Sequence, residues 1–312
     1  MLMRSISAVI AAAGKVGGLR RRRSGERFIE GWILLAGILA IVILLGIVFF
    51  LIREGAPIFL HTNPWQFFSG AKWYPVSEPP TFGILPFLVS TMIVTMVSTA
   101  IAIPIGIACA AYLAEVASPR VRNMVKPLVE LLAGIPSVVM GFIGLMILSP
   151  LVQSTFNLNT GLTGFSAAIM LSMMSLPIII SVSEDALRAV PDDFKQASYA
   201  LGATRWETIR HVSIPAALSG ITAAVMLGVG RAIGETMTVL MVAGGALAVP
   251  QSPTEPMMPM TAAIASGIGN AVRGGLQYQA LFAIGLVLFF ITLGVNLIAS
   301  RVLERQKRRF AR

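Results

Sequence analysis

Two ionisable residues stand where charge is most costly. Arg231 and Glu235 interrupt the apolar text Gly228-Val229-Gly230-Arg231-Ala232-Ile233-Gly234-Glu235-Thr236-Met237. At i, i+4 spacing on one helix they share a face. An arginine within a lipid-spanning helix costs about 3 kcal/mol on insertion scales and more than about 10 kcal/mol in simulations, so it persists where it faces protein or water. Two uses suit the pair. The guanidinium presents paired donors that match a tetrahedral oxyanion, with Glu235 holding Arg231 while a path is empty or taking a proton from the anion. Alternatively the two close on each other and lock helices together. Gly230 and Gly234 bracket the arginine at a spacing that permits close helix approach. A second polar face, Thr91, Thr95, Ser98 and Thr99, covers roughly 100° of a helical wheel. Its hydroxyls either line a path with Arg231 and Glu235 or bond helix to helix.

Other chemistries lack their parts. The single Cys109 forms no internal disulfide, and His61 and His211 are far apart with no Cys/His cluster for a metal. No Gly-rich phosphate loop of the Walker type occurs. The sequence therefore predicts no metal, no cofactor and no nucleotide site of its own.

The elements that must position these residues are membrane helices. Apolar residues make up 56% of the 312 positions, charged residues 12%, and mean hydropathy is +0.82, against about 25% charged in a soluble domain. Too little polar surface exists to cover a water-soluble particle, so lipid is the solvent for much of the chain. The pattern predicts an all-α integral membrane fold with six spans: Trp32–Ile52, Ile84–Leu113, Pro127–Leu151, Gly164–Val182, Ala216–Val242 and Ala280–Ala299. The second is long enough to bend at Pro104, and the third is expected to kink or break at Pro136. Of 24 Lys and Arg residues, twenty fall on the side of both termini and three on the other (Arg53, Lys72, Arg273). That bias predicts cytoplasmic termini in a bacterial inner membrane, and it explains the net charge of +10 without nucleic acid. The apolar run 6–14 is short and is followed by Arg20 to Arg23, which reads as a retained basic tail. Two outer loops, 53–82 and 243–279, are rich in aromatics and Pro. They are expected to dock something or to lie along the membrane, with Trp and Tyr chiefly as interface anchors.

The most informative inner loop runs from Glu184 to Pro215. Pro191 can open a short helix with Asp192 and Asp193 in its first turn, and Gly202 can end it. A second helix follows over Arg205–Val212. This stretch resembles the signature loop of ATP-binding-cassette (ABC) importer permeases, Glu-Ala-Ala, three residues, Gly, nine residues, Ile-x-Leu-Pro. Here Gln196-Ala197-Ser198 take the first places, then Gly202, and Val212-Ser213-Ile214-Pro215 end it. Gln196 departs from the pattern by losing a charge. The segments Gly230–Met237 and Glu130–Gly141 are similar to Pst-type phosphate permeases, PstC-like more than PstA-like, over roughly residues 80–305.

The resemblance implies a type I ABC importer permease that translocates inorganic phosphate and hydrolyses no ATP itself. It also implies a second, PstA-like permease subunit, two cytoplasmic ATPase subunits bound through the loop, and a phosphate-binding protein outside. Sulfate, molybdate or phosphonate remain alternative cargoes. A secondary transporter is a more distant reading, since no internal repeat is evident. On this reading the chain divides into a basic tail (1–30), the first span and outer loop (31–82), a permease core (83–305) with the coupling loop 184–215, and a basic tail (306–312).

Overall fold

The computed structural model describes the backbone of residues 2–310 and the side chains of residues 29–301 and 304. The arginines and lysines of the N-terminal tail and most of those in the C-terminal tail lie outside the described side chains. The chain divides at Arg53 into two units.

The first unit is one element, most of helix α1 (Leu2–Gly55). From Ile29 onward it is apolar enough to cross a bilayer.

In the second unit, Glu54–Arg312, a 3-10 turn (Ala56–Leu60) leads to α2 (Pro64–Ser69) and to a hairpin of two short strands, β1 (Trp73–Tyr74) and β2 (Thr81–Phe82). The strands pair antiparallel, Trp73 opposite Phe82. Composition predicted helices alone. The hairpin forms because Trp73 and Phe82 are both buried with Phe67, Ile84 and Phe87 in an aromatic cluster. Trp65 and Tyr74 are exposed, so the aromatics of this loop divide between core and surface.

The bundle follows. α3 (Leu85–Ala111) continues through Pro104 and ends in a π turn, Tyr112–Val116. α4 (Pro119–Ala133) is separated by Gly134-Ile135-Pro136 from α5 (Ser137–Ile143), which runs through a π turn (Gly144–Leu148) into α6 (Ser149–Phe156). The expected break at Pro136 is therefore present, and it corrects the third span. The membrane-length helix is Ser137–Phe156, and residues 127–133 belong to a separate helix. α7 (Gly164–Arg188) is the most enclosed span. α8 (Asp192–Ala200), α9 (Arg205–Thr208), a π turn (Ile209–Ser213) and α10 (Ile214–Ala216) form the elbow, which meets α11 (Leu218–Gly234) at 72°. α12 (Met237–Val242), α13 (Met260–Ile268) and α14 (Leu276–Phe310) complete the chain. Among the described residues, five helices are long and apolar enough to cross a membrane, and six if the bent pair counts as one.

α7 is the hub. It packs on α3 and α11 through Val94, Ala167, Ala168, Leu171 and Ala232, and at the elbow end through Leu187 and Val190 against Ala110, Ala217 and Ile221. Small residues on the contact faces let backbones approach closely, which is the usual means of helix association in lipid.

Candidate functional site

The fifth span does not run through. α11 stops at Gly234, Glu235 is extended (φ −71°, ψ 133°), and α12 starts at Met237. The i, i+4 geometry expected of Arg231 and Glu235 is thereby removed, since Glu235 lies beyond the helix. Among the described residues no carboxylate is within ion-pair distance of Arg231. Glu235 is engaged elsewhere. Its Oε1 accepts the backbone N–H of Thr238 at 3.2 Å, capping the start of α12, and its carbonyl accepts the Thr261 hydroxyl at 2.7 Å.

Arg231 is half-buried in the last turn of α11, where the carbonyl end of a helix favours a cation by about 0.3–1 kcal/mol. A Cβ added at Gly230 or Gly234 would meet nothing within 4 Å. The arginine therefore sits beside an open strip of backbone.

The break abuts a second discontinuity, Gly134–Pro136, at the start of the Ser137–Phe156 span. The Thr238 hydroxyl, fully buried, donates to the carbonyl of Ser137 at 2.9 Å, the first residue after Gly134-Ile135-Pro136. Two discontinuities are thus joined by one side chain across 101 residues. In lipid an unpaired backbone group costs several kcal/mol, so interrupted spans survive only inside protein or along a watery cavity. Two such breaks side by side, with an unpaired guanidinium one turn away, have the makings of an anion path between discontinuous helices.

On the second polar face, Thr91 is 5% exposed and fully used. Its hydroxyl donates to the Phe87 carbonyl (2.8 Å) and accepts the N–H of Met260 (2.9 Å). This fixes the start of α13, whose next residue, Thr261, holds the Glu235 carbonyl. Thr91 is thus placed behind the break as support. Thr95 is half-buried, one turn further along α3.

The elbow matches its sequence reading closely. Pro191 precedes α8, Asp192 and Asp193 fill its first turn, and Gly202 has φ +85° with open space about it. Thr204 and Glu207 form a capping box that starts α9: the Thr204 N–H donates to Glu207 Oε2 at 2.7 Å, and the Glu207 N–H to the Thr204 hydroxyl at 3.3 Å. These hydrogen bonds from the Thr204 backbone and side chain hold the Glu207 carboxyl below its usual range. Within the motif, Ser198 bonds Thr208 at 2.9 Å, and Ile214 packs on the buried cluster at the elbow end of α7. Pro215 lies in α10. Gln196 and Ala197 are exposed, alongside Phe194, Leu201 (90%) and Trp206 (66%). Side chains that apolar, left outward on a polar loop, need a covering partner.

Ties that sequence spacing did not reveal fasten the elbow to α3. Lys195 pairs with Glu115 at 3.0 Å, both largely buried, and Arg205 donates to the Glu115 carbonyl. The contributing residues are about 80 to 90 positions apart, and no local pattern marks them.

The pattern of binding-protein-dependent transport system inner membrane components matches residues 102–312. The probable ABC transporter permease protein YqgH of Bacillus subtilis is 38% identical over 277 residues, 88% of each chain. The phosphate transport system permease protein PstC of Mesorhizobium japonicum is 36% identical over 86% of this chain and 88% of its own length. In the crystal structure of a bacterial ABC transporter that imports the acidic polysaccharide alginate, one chain superposes with a TM-score of 0.60 at 18% identity, covering 91% of this chain and 99% of that one.

Proposed function

This chain belongs to the family of binding-protein-dependent transport system inner membrane components, and from that premise we propose that it carries inorganic phosphate across the bacterial cytoplasmic membrane as a permease subunit of an ABC importer. The observation that carries the mechanism is the unpaired Arg231 beside two joined helix breaks. Relatives named as phosphate transport permeases, 32–36% identical over most of the chain, support phosphate as the cargo.

Arg231, at the carbonyl end of α11, would meet the anion with paired guanidinium donors. Glu235 acts on backbone, holding α12 in place, and does not neutralise the arginine. Thr95 adds a hydroxyl to the same passage. Gly230 and Gly234 leave room for the anion and for the close approach of a second, PstA-like subunit. The elbow faces the cytoplasm, as the distribution of basic residues favours. Two ATPase subunits bind below, and Gln196, Ala197, Ser198 and Gly202 belong to the docking strip, with Ile214 and Pro215 joining it to α11. A phosphate-binding protein delivers its cargo at the opposite face. ATP hydrolysis takes place in the partner, and this chain contributes passage and coupling.

The test is uptake of labelled phosphate and labelled sulfate by the reconstituted complex, comparing wild type with Arg231→Gln. A hydrogen bond to a charged group contributes about 1.5–3 kcal/mol, so phosphate uptake at limiting concentration should fall tenfold or more. Unchanged uptake would remove Arg231 from the path, and preference for sulfate would replace the cargo.

A further inference from the structure

A second concentration of charge lies where α4 meets the last turns of α7. Lys126 Nζ is 2.5 Å from Glu184 Oε2 and 2.6 Å from Asp185 Oδ1, and Arg188 Nη1 is 3.5 Å from Glu184 Oε1. Glu184 is 1% exposed, so a carboxylate out of reach of water depends on these cations. One turn further along α4, Glu130 Oε1 accepts the Ser181 hydroxyl at 3.3 Å. Lys126 and Glu130 on one helix face Asp185 and Ser181 on the other, an antiparallel polar seam.

The seam matters because it supplements only a shallow apolar contact, in which half-buried Val125 and Val129 line a cavity with Leu113 and Ile180. None of its residues is buried, and Val121, Met124, Leu128 and Leu131 form an exposed apolar stripe. The side toward the protein combines Lys126 with Val125 and Val129, and the outward stripe is apolar, as suits a helix whose outer face meets lipid or another subunit. The two ends of the seam lead to different machinery. The last turns of α7 run through Val190 and Pro191 into α8 of the elbow. From Lys126, eight residues of α4, about 12 Å of helix, lead to Gly134 and the break whose far side carries the Thr238–Ser137 bond.

We propose that Lys126 is a positioning residue for coupling, a clasp that binds α4 to the root of the elbow so that elbow motion reaches the paired breaks. This rests on reading the chain as an ATP-driven importer subunit. With Lys126 neutral, Glu184 is left buried beside Arg188 alone, the seam loosens, and α7 can move without carrying α4. Burial alone would pull the Lys126 ammonium down, but the hydrogen bonds to Asp185 and Glu184 outweigh it and hold the group above its usual range. The clasp therefore stays charged at physiological pH and responds to mechanical movement of the elbow.

The experiment measures labelled phosphate imported per ATP hydrolysed by the complete complex in proteoliposomes. Wild type must import phosphate; failure there refutes the importer reading and leaves the clasp out of account. With wild type active, Lys126→Gln should lower the ratio about tenfold while hydrolysis stays within about twofold of wild type, and Lys126→Arg should restore the ratio. An unchanged ratio in Lys126→Gln, a parallel fall of import and hydrolysis, or a Lys126→Arg complex as deficient as Lys126→Gln would overturn the proposal. If Lys126→Gln does not assemble, Asp185→Asn at an exposed position carries the test with an expected fall of about threefold, and no fall there overturns it.

Discussion

Ile179 on α7 is fully buried, and its two branches fill hollows on two neighbouring helices. A Cβ added at Gly106 of α3 would lie 2.6 Å from Ile179 Cγ2 and 3.1 Å from its Cβ. One added at Gly228 of α11 would lie 2.7 Å from Cγ1 and 2.8 Å from Cδ1. Carbon atoms in favourable contact sit about 3.5–4.0 Å apart, so each added methyl overlaps the isoleucine by roughly 1 Å. Gly106→Ala and Gly228→Ala should each cost about 1–3 kcal/mol through overpacking. Ile179→Ala alone should cost about 2–5 kcal/mol through the cavity it leaves. Combined, the changes should compensate, because the new methyl enters the space the isoleucine vacates. The rescue should be fuller at Gly228, where every close atom is removed, than at Gly106, where the residual Cβ stays at 3.1 Å. Reversible unfolding of the four variants of each cycle in mixed micelles measures the interaction, expected at about 1–3 kcal/mol in the compensating direction. Energies that add within about 0.5 kcal/mol would refute the claim that one side chain wedges three spans together.

Two further outcomes follow from the geometry of the ends of helices. Arg231→Gln should change stability equally in wild-type and Glu235→Gln backgrounds, because the two residues are not paired; effects differing by more than about 1 kcal/mol would show an ion pair, given that intramembrane couplings average about 0.6. For Glu207, hydrogen bonds from Thr204 lower the carboxyl pKa in the folded elbow, so its contribution is complete above the unfolded-state value and is lost as pH falls through the folded value. A fluorinated Trp206 should report loosening of α9 over that acidic window, and Glu207→Gln should flatten the dependence; an identical profile in both would contradict the capping box as its cause.

The sequence carried most of the spans and the outline of the elbow, because both depend on local facts. Twenty apolar residues in a row need a bilayer, and Pro191 and Gly202 each force a specific backbone choice at their own position. The break at Gly134–Pro136 was legible for the same reason, since Pro136 removes a donor and clashes with the preceding turn. The break at Glu235 was not. No proline marks it, and Arg231 to Met237 reads as continuous helix with a tidy i, i+4 ion pair. The acceptors and donors that make an extended Glu235 tolerable come from Thr238, Thr261 and, through Thr238, Ser137, and two of these are distant in sequence. For Thr91 the choice between path and helix-to-helix bond stayed open for a related reason. Helical spacing gives its face, but only the arrival of Met260 on that face shows that its hydroxyl is already taken.

The same distinction separates what is rigid from what can move. α3, α7 and α11 are joined by apolar interdigitation around Ile179 and by the buried cluster at Leu187 and Ile221, contacts that lose energy steeply with any sliding. The elbow is fastened to that block at Glu115. At the two breaks, by contrast, the backbone is held by hydrogen bonds from Thr238 and Thr261, although beyond them α5 and the π turn after it pack closely on α12, where Gly141 and Gly144 meet Met241 and Val242. α4, none of whose own residues is buried, is tied by a polar seam to the buried Glu184. Directional contacts of this kind can be exchanged for others at small cost, whereas packed methyl groups cannot. A push at the elbow should therefore turn the three-helix block as one body and deform the chain at Gly134–Pro136 and Gly234–Thr236. The second lies one turn beyond Arg231, and the first is tied to it through the Thr238–Ser137 hydrogen bond.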